Sequence, residues 1–200
     1  MTFLKAWARH PAAIGAIAPS STALARRMVA GVNPRPGEAI VEFGPGTGPF
    51  TRAIESLLAD PSAYLGIERE PSFVKVLRAK FPRLRFVENS AEAAPRLLRE
   101  AGLGPVRAVL CGLPFASLQA SVQDAVIAAL EQVVHDGCEF RTFQYVHAHW
   151  LPSALRYRRR MAEVFGPHQR SRIVLKNLPP AYVLTWRRGT EPQMHKGAHG

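Results

Sequence analysis

Short apolar runs alternate with helix-spaced apolar stripes along this chain. Glu38 to Phe43 forms an apolar strand that runs into glycine. Residues 49–59 place Phe50, Ile54, Leu57 and Leu58 on one side of a helix. Ala63 to Ile67 predicts a second strand. Pro71 suits the first turn of a helix through Lys80, striped by Phe73, Val74, Leu77 and Phe81. Leu84 to Val87 predicts a strand, and Gly102 stops a helix that begins at Glu92. Val106 to Cys111 is the next strand, Ser121 to Val134 a helix, and Phe140 to Val146 a β-rich run. A helix over Pro152 to Val164 follows. Two closing strands, 172–177 and 181–187, are joined at Asn177-Leu178-Pro179-Pro180. This alternation predicts an α/β fold: a doubly wound, seven-stranded, mostly parallel sheet with helices on both faces and an antiparallel pair at one edge.

In front of that domain, residues 1–31 predict a separate helical segment. Phe3, Leu4 and Trp7 share one helical side, Pro11 ends that turn, and Ser20-Ser21 supply an N-cap for a helix over Thr22 to Val29. The expected division is therefore 1–31, a helical lid or membrane-binding segment; 32–188, the α/β domain; and 189–200, a frayed Gly/His-rich tail.

With 200 residues the chain has room for one domain of ordinary size. Hydrophobic residues at 47% and charged residues at 20% exclude disordered, collagenous and coiled-coil classes. No apolar run reaches the roughly 18 residues that a spanning helix needs. Lys5 and Arg9 interrupt the stretch where a signal peptide would place its apolar core. Cys111 and Cys138 are too few for a disulfide framework or a four-ligand zinc site, and read as reduced, buried thiols. No His/Cys/Asp cluster suits a metal, so none is expected; His147 and His149 alone do not make a zinc site.

Charge changes the picture more than composition does. The net charge is +11, and it is segregated. Residues 1–35 hold five Lys/Arg and no acid, residues 36–140 ten bases and thirteen acids, and residues 141–188 ten bases and Glu163 alone. Two basic ends around a slightly acidic middle point to an anionic partner, a membrane surface or a nucleic acid.

The sharpest motif is Ile40-Val41-Glu42-Phe43-Gly44-Pro45-Gly46-Thr47-Gly48, an apolar strand entering a glycine-rich turn that opens a helix. Glu68 follows at the end of the second strand, where a carboxylate can take both ribose hydroxyls of an adenosine. The dinucleotide fingerprint spaces its glycines G-x-G-x-x-G, whereas this turn reads G-x-G-x-G. Glu42 beside the turn would repel a pyrophosphate and attract an ammonium or sulfonium.

On these residues the chain resembles the class I S-adenosylmethionine-dependent methyltransferases, whose first motif Glu42 to Gly48 is similar to. The resemblance implies a Rossmann-like fold with S-adenosylmethionine as cofactor and S-adenosylhomocysteine as product. It places Glu42, Gly44 and Gly46 along the methionine part and Glu68 at the ribose, with Gly48 and Arg69 as further cofactor-binding residues. Asn89, Ser90 and Ala91, after the third strand, would meet the adenine, with Ile67 and Phe86 as candidate walls of its slot. Ser20 and Ser21 are expected either to close over the cofactor or to serve as caps only.

The loop after the fourth strand, Cys111-Gly112-Leu113-Pro114-Phe115, faces the reacting methyl group in such a fold. It looks like the Asn-Leu-Pro-Tyr loop of ribosomal RNA adenine dimethyltransferases, with Gly112 in place of the Asn that receives an adenine amine. Backbone carbonyls at Gly112 and Leu113 next to the Phe115 ring suit an alkylammonium instead. Tyr145 and His147, after the fifth strand, are the candidate acid–base or orienting groups. Phe3-Leu4, Trp7, Pro11, the run Gly15 to Ser21, the Gly-Leu-Pro-Phe loop and Asn177 to Ala181 together resemble the bacterial phospholipid N-methyltransferases of the soluble, peripheral type. That resemblance implies stepwise N-methylation of phosphatidylethanolamine, through its mono- and dimethyl derivatives, to phosphatidylcholine. It also implies an anionic membrane surface as partner and a cytoplasmic protein held peripherally on the inner face of the cell membrane, with no nucleic acid. Phe3, Leu4 and Trp7 read as an interfacial helix, and the run Arg156 to Arg160 as a second candidate membrane surface. Arg172 and Lys176 are candidates for the lipid phosphate. Ornithine-lipid N-methylation, RNA adenine dimethylation and a basic membrane- or RNA-binding protein that keeps the fold are the alternatives.

Overall fold

The computed structural model describes residues 20–188. The expected interfacial helix around Phe3, Leu4 and Trp7 and the C-terminal tail lie outside the described residues. Among the described residues, seven strands and six α-helices follow one another as α1 (Thr22–Val29), β1 (Ala39–Phe43), α2 (Pro49–Glu55), β2 (Tyr64–Glu68), α3 (Pro71–Lys80), β3 (Arg85–Glu88), α4 (Ala94–Ala101), β4 (Val106–Cys111), α5 (Ala120–Val133), β5 (Glu139–Tyr145), α6 (Pro152–Phe165), β6 (Gln169–Arg170) and β7 (Ala181–Arg187). The strands form one sheet in the order β3-β2-β1-β4-β5-β7-β6. β1 to β5 pair in parallel; β7 runs antiparallel to both β5 and β6. The doubly wound seven-stranded sheet expected from the sequence is the one observed.

Each face of the sheet carries its own apolar layer. Leu24, Met28, Phe50, Ile54, Val74 and Leu77 from α1, α2 and α3 pack on one face, against Ile40, Tyr64 and Val183. Leu97, Ile127, Leu130, Tyr157 and Met161 from α4, α5 and α6 cover the other, against Val41, Leu65, Phe140 and Trp186. β1 and β2 are buried along their whole length, as central parallel strands covered on both faces must be.

Helix boundaries follow local chemistry. Ser21 caps α1, its hydroxyl accepting the Leu24 N–H at 3.1 Å. Pro71 opens α3, and Gly102 ends α4 in a left-handed conformation. The far end of α1 is held by Arg141 of β5, which donates to the Met28 and Ala30 carbonyls at 2.9 and 2.7 Å. A guanidinium at a helix C-terminus meets both orphan carbonyls and the negative end of the helix dipole.

The edge of the sheet departs from the sequence expectation. Residues 172–177 are not a strand. β6 is only Gln169–Arg170, and the run that follows touches β7 through a single bridge, Val174 to Ala181. Val174 and Asn177 turn inward while Ile173, Leu175 and Leu178 face out, so the β-branched run belongs to an anchored loop. The helix expected over 49–59 ends at Glu55.

One buried charge organises the β5–β7 region. The Glu139 carboxylate lies 3.3, 3.0 and 3.2 Å from Arg107, Arg141 and Arg187. Removing the anion would leave the buried Arg141 guanidinium uncompensated. Glu139→Gln is expected to cost about 3 kcal/mol of stability in urea unfolding; a loss below about 1 kcal/mol, the scale of an exposed pair, would show that Arg107 and Arg187 are solvated alternatives.

Candidate functional site

The order of the sheet reverses between β1 and β4, and ligands of open α/β sheets sit at the carboxyl ends of strands beside such a point. Backbone bonds lace the loops together there. Gly44 N–H donates to the Ile67 carbonyl at 2.9 Å, Asn89 N–H to Glu68 at 3.0 Å, and Gly112 N–H to Phe43 at 2.8 Å. The glycine turn, Glu68, Asn89 and the Gly112 loop thus form one rim.

Two glycines in that rim answer different needs. Gly46 has φ 60°, and nothing lies within 4 Å of where its Cβ would stand. Its glycine provides the left-handed turn and leaves open space beside the chain. Gly112 is required by contact: a Cβ there would stand 2.6 Å from the Gly44 carbonyl oxygen. The asparagine that the RNA dimethyltransferase loop carries at this position therefore has no room on this backbone.

Glu68, at the end of β2, is buried, and both its oxygens face the rim. One accepts the Gly46 N–H at 2.9 Å and the other the Glu70 N–H at 2.9 Å. Glu42 lies deeper. One of its oxygens accepts the Thr51 hydroxyl at 2.8 Å and the Tyr64 hydroxyl at 2.6 Å. The other, Oε1, is buried without a hydrogen-bond partner. Burial pushes the Glu42 carboxyl up to about 7, against the two hydroxyls that favour its charged form. Sequence reasoning missed Thr51 and Tyr64. Thr51 sits in the first turn of α2, and Tyr64 reads only as a core residue at the start of β2.

The other expected residues divide. The Asn89 side-chain oxygen accepts the Ser90 N–H at 2.9 Å, and Ala91 is buried in the α4-side core. Arg69 is exposed beside Glu68. Ser21 donates its N–H to the Asn177 side-chain oxygen at 2.9 Å, which ties the start of α1 to the loop before β7, and half-buried Ser20 precedes it. Ile67 and Phe86 do not line a common slot: Phe86 is in register with Gly66, so the two rings of neighbours lie on opposite faces of the sheet.

Around the acceptor loop the expectations need correction. Phe115 is a core side chain, stacked on Tyr157 with ring centroids 4.1 Å apart, and offers no face to an acceptor. The Leu113 carbonyl already accepts the Phe115 N–H at 2.9 Å. Tyr145 stacks on His147 at 5.6 Å, with the imidazole exposed. Burial pushes the Tyr145 phenol up to about 12, so near neutral pH it is a hydrogen-bond donor and not a base. The neighbouring histidine that the structure buries is His149, whose Nδ1 lies 3.1 Å from the Gln144 side-chain oxygen. Both cysteines are buried and free.

No family model matches the chain. Among solved structures, it is similar to a TehB-like SAM-dependent methyltransferase from Corynebacterium glutamicum, with a TM-score of 0.62, 14% identity, and coverage of 94% of this chain and 96% of that one. It is also similar to Aeropyrum pernix fibrillarin with natively bound S-adenosyl-L-methionine, with a TM-score of 0.59, 14% identity, and coverage of 82% and 72%. The fold and its switch-point rim are those of a class I S-adenosylmethionine-dependent methyltransferase. In sequence, the chain is 31% identical over 185 residues to the ornithine lipid N-methyltransferase of Singulisphaera acidiphila, spanning 90% of this chain and 91% of that protein. The chain belongs to the family of that lipid N-methyltransferase.

S-adenosylmethionine is the cofactor, and the rim fits it. Open space stands beside Gly46, a carboxylate closes β2, and Glu42 holds an unpartnered buried acceptor behind the turn.

Two outcomes follow. Gly112→Asn is expected to cost about 1–3 kcal/mol of stability through overpacking against Gly44 and to weaken cofactor binding by distorting the rim; a variant that melts and binds as the parent does would refute the contact. Glu42, with its folded value raised from 4.5 to about 7, favours folding fully below 4.5 and loses that contribution as pH rises through 7. Glu42→Gln should therefore gain stability on the order of 3 kcal/mol over the parent at pH 8 and little at pH 4, read from urea midpoints.

Proposed function

We propose that the protein transfers methyl groups from S-adenosylmethionine to the primary amine of a membrane lipid headgroup. The observation that carries this is the likeness, over nine-tenths of both chains, to a protein named as an ornithine lipid N-methyltransferase. That likeness makes ornithine lipid the first acceptor to test. Phosphatidylethanolamine, the acceptor implied by the phospholipid N-methyltransferase resemblance, is the second, since its amine presents the same chemistry. Gly112 argues against an RNA adenine: the loop has no side-chain amide there to receive a base amine.

When bound, S-adenosylmethionine supplies an electrophilic sulfonium methyl, which the acceptor must meet with a neutral amine lone pair. The Glu68 carboxylate binds the ribose hydroxyls, and Asn89 with Ser90 and Ala91 borders the adenine. Glu42, ionised, offers Oε1 to the cationic methionine end. Gly46 lets the backbone approach without a side chain, while Gly44 and Gly48 make room for Leu113 and for Phe81 and Leu77. The Gly112 carbonyl orients the incoming amine, and the Tyr145 hydroxyl and His147 imidazole border its path, Tyr145 as a hydrogen-bond donor. The protein's main contribution is positioning.

This reading makes cofactor affinity depend on pH. A cation beside Glu42 favours its ionised form, so binding releases a proton and strengthens as pH rises through about 7, flattening above. Calorimetry in buffers of different ionisation enthalpy would detect that proton; pH-independent affinity would remove Glu42 from the methionine end. Glu68→Ala should weaken binding at least ~100-fold, the scale of losing a charge-assisted pair of hydrogen bonds, and unchanged binding would sink the ribose assignment. For the acceptor, the chain would be expressed in a bacterium that makes phosphatidylethanolamine but no phosphatidylcholine, with and without ornithine lipid, and the lipids examined by mass spectrometry. Methylated ornithine lipid or methylated phosphatidylethanolamine is the expected product. An unchanged profile of both, with the protein folded and cofactor-bound, would overturn the lipid-amine reading.

A further inference from the structure

Two loops leave the β5–β7 pair at the end of the sheet that carries the cofactor rim. Tyr145 is in register with Ala181, and Val146 N–H donates to the Pro180 carbonyl at 2.9 Å, so the chain after β5 and the chain before β7 emerge side by side. The first loop exposes Trp150 at 75% and, at the start of α6, Leu151 and Leu155. The second exposes Leu175 at 75% and Leu178 at 76%, with Ile173 beside them.

These side chains are not loose ends. The second loop is pinned by its alternate residues: Val174 is buried and bridges Ala181, and buried Asn177 accepts the Ser21 N–H and donates its amide to the Pro179 carbonyl at 2.7 Å. The anchoring residues point in and the large apolar residues point out, so the fold holds an apolar surface toward solvent. Clustered exposed apolar residues of this size mark a contact surface.

Charge selects the occupant. No Asp or Glu occurs from residue 164 to 188, nor from 146 to 155. Arg172 and Lys176 are exposed between the apolar residues, and neither pairs with a carboxylate among the described residues. Arg156 and Arg160 of the basic run are, by contrast, partnered by Asp124 and Glu163. Large apolar side chains interleaved with unpaired cations suit the boundary between acyl chains and anionic headgroups.

We propose that residues 150–155, which lead into α6, and the 173–178 loop form the face by which this protein docks on an anionic bilayer. The choice of a bilayer as occupant rests on the lipid-amine reading above. Docked this way, the carboxyl end of the sheet faces the membrane.

The test uses the full chain with Trp7→Phe, which leaves exposed Trp150 and fully buried Trp186. Vesicles of phosphatidylglycerol and brominated phosphatidylcholine in equal parts should quench Trp150 and shift its emission to the blue. Leu175→Ser with Leu178→Ser should weaken vesicle binding at least ~tenfold, the low end for losing a buried leucine, while the melting temperature and cofactor binding stay at parent values. Arg172→Glu with Lys176→Glu should weaken it further at low salt, by about fivefold for each cation lost. Unchanged binding by the leucine variant would overturn the proposal. So would bound protein with unquenched Trp150, as expected if residues 1–19 carried the contact, or a dimer in ultracentrifugation that the leucine substitutions dissociate. A protein that docks through these loops yet methylates no detergent-dispersed aminolipid would support the docking face and overturn the acceptor reading instead.

Discussion

The structure turns on how closely the ends of β1 and β4 approach. Gly112 N–H donates to the Phe43 carbonyl, and a Cβ on Gly112 would stand 2.6 Å from the Gly44 oxygen. Where the sheet order reverses, position 112 has no room for a side chain, and the Leu113 side chain fills the space beside Gly44. This closeness fixes the glycine turn, and the turn fixes the Glu68 carboxylate through Gly46. It also closes the turn over Glu42, whose carboxyl then lies beyond the reach of water. The raised protonation value of Glu42 follows chiefly from that burial, with the neighbouring Glu68 carboxylate pushing the same way, and its second oxygen has no hydrogen-bond partner. A buried acceptor without a partner is costly in isolation, and a cation held at the rim, as proposed above, would compensate it.

How much of this was legible in the sequence depended on which force decides each element. α3 begins at Pro71 and ends at Lys80 as expected, because a proline at the first turn and a continuous apolar stripe act locally. β4 spans Val106–Cys111 as expected, because a short apolar run between polar loops fits a buried parallel strand. Residues 172–177 misled because β-branched and aliphatic residues favour a strand by pattern, whereas tertiary anchoring at Val174 and Asn177 made them a loop. The pattern was hydrophobic because of what the loop presents, not because of what it buries.

The rim was legible for a similar reason: a glycine turn after a strand, with an acid one strand later, leaves its mark in spacing. Thr51 and Tyr64 were not, since nothing in their local sequence says that their hydroxyls converge on Glu42. Phe115 misled because an aromatic next to a Pro-containing loop reads equally well as ligand wall or core. Tyr157, forty-two residues away, decided it by stacking. Tyr145 ends β5 and His147 follows it, but the Tyr145 protonation value is set by burial, which alternation of residue types does not report.

Acceptor chemistry and architecture bear on one another. A neutral amine is needed for attack on a sulfonium methyl, and an ammonium in bulk water seldom gives up its proton near neutral pH. Apart from Glu68 at the ribose end, a rim of carbonyls and neutral donors would stabilise an ammonium less than an exposed carboxylate beside it would. Deprotonation is then easier at the rim than it would be beside an anion. The same end of the sheet carries the cations that would hold an anionic surface, and those cations further disfavour a protonated amine. On the proposed reading, Arg172 and Lys176 on the loop before β7, left unpaired while Asp124 and Glu163 are committed to the α6 arginines, would serve two purposes with one charge distribution: attraction of the surface that brings the amine, and a lower proton affinity of an amine that comes near them.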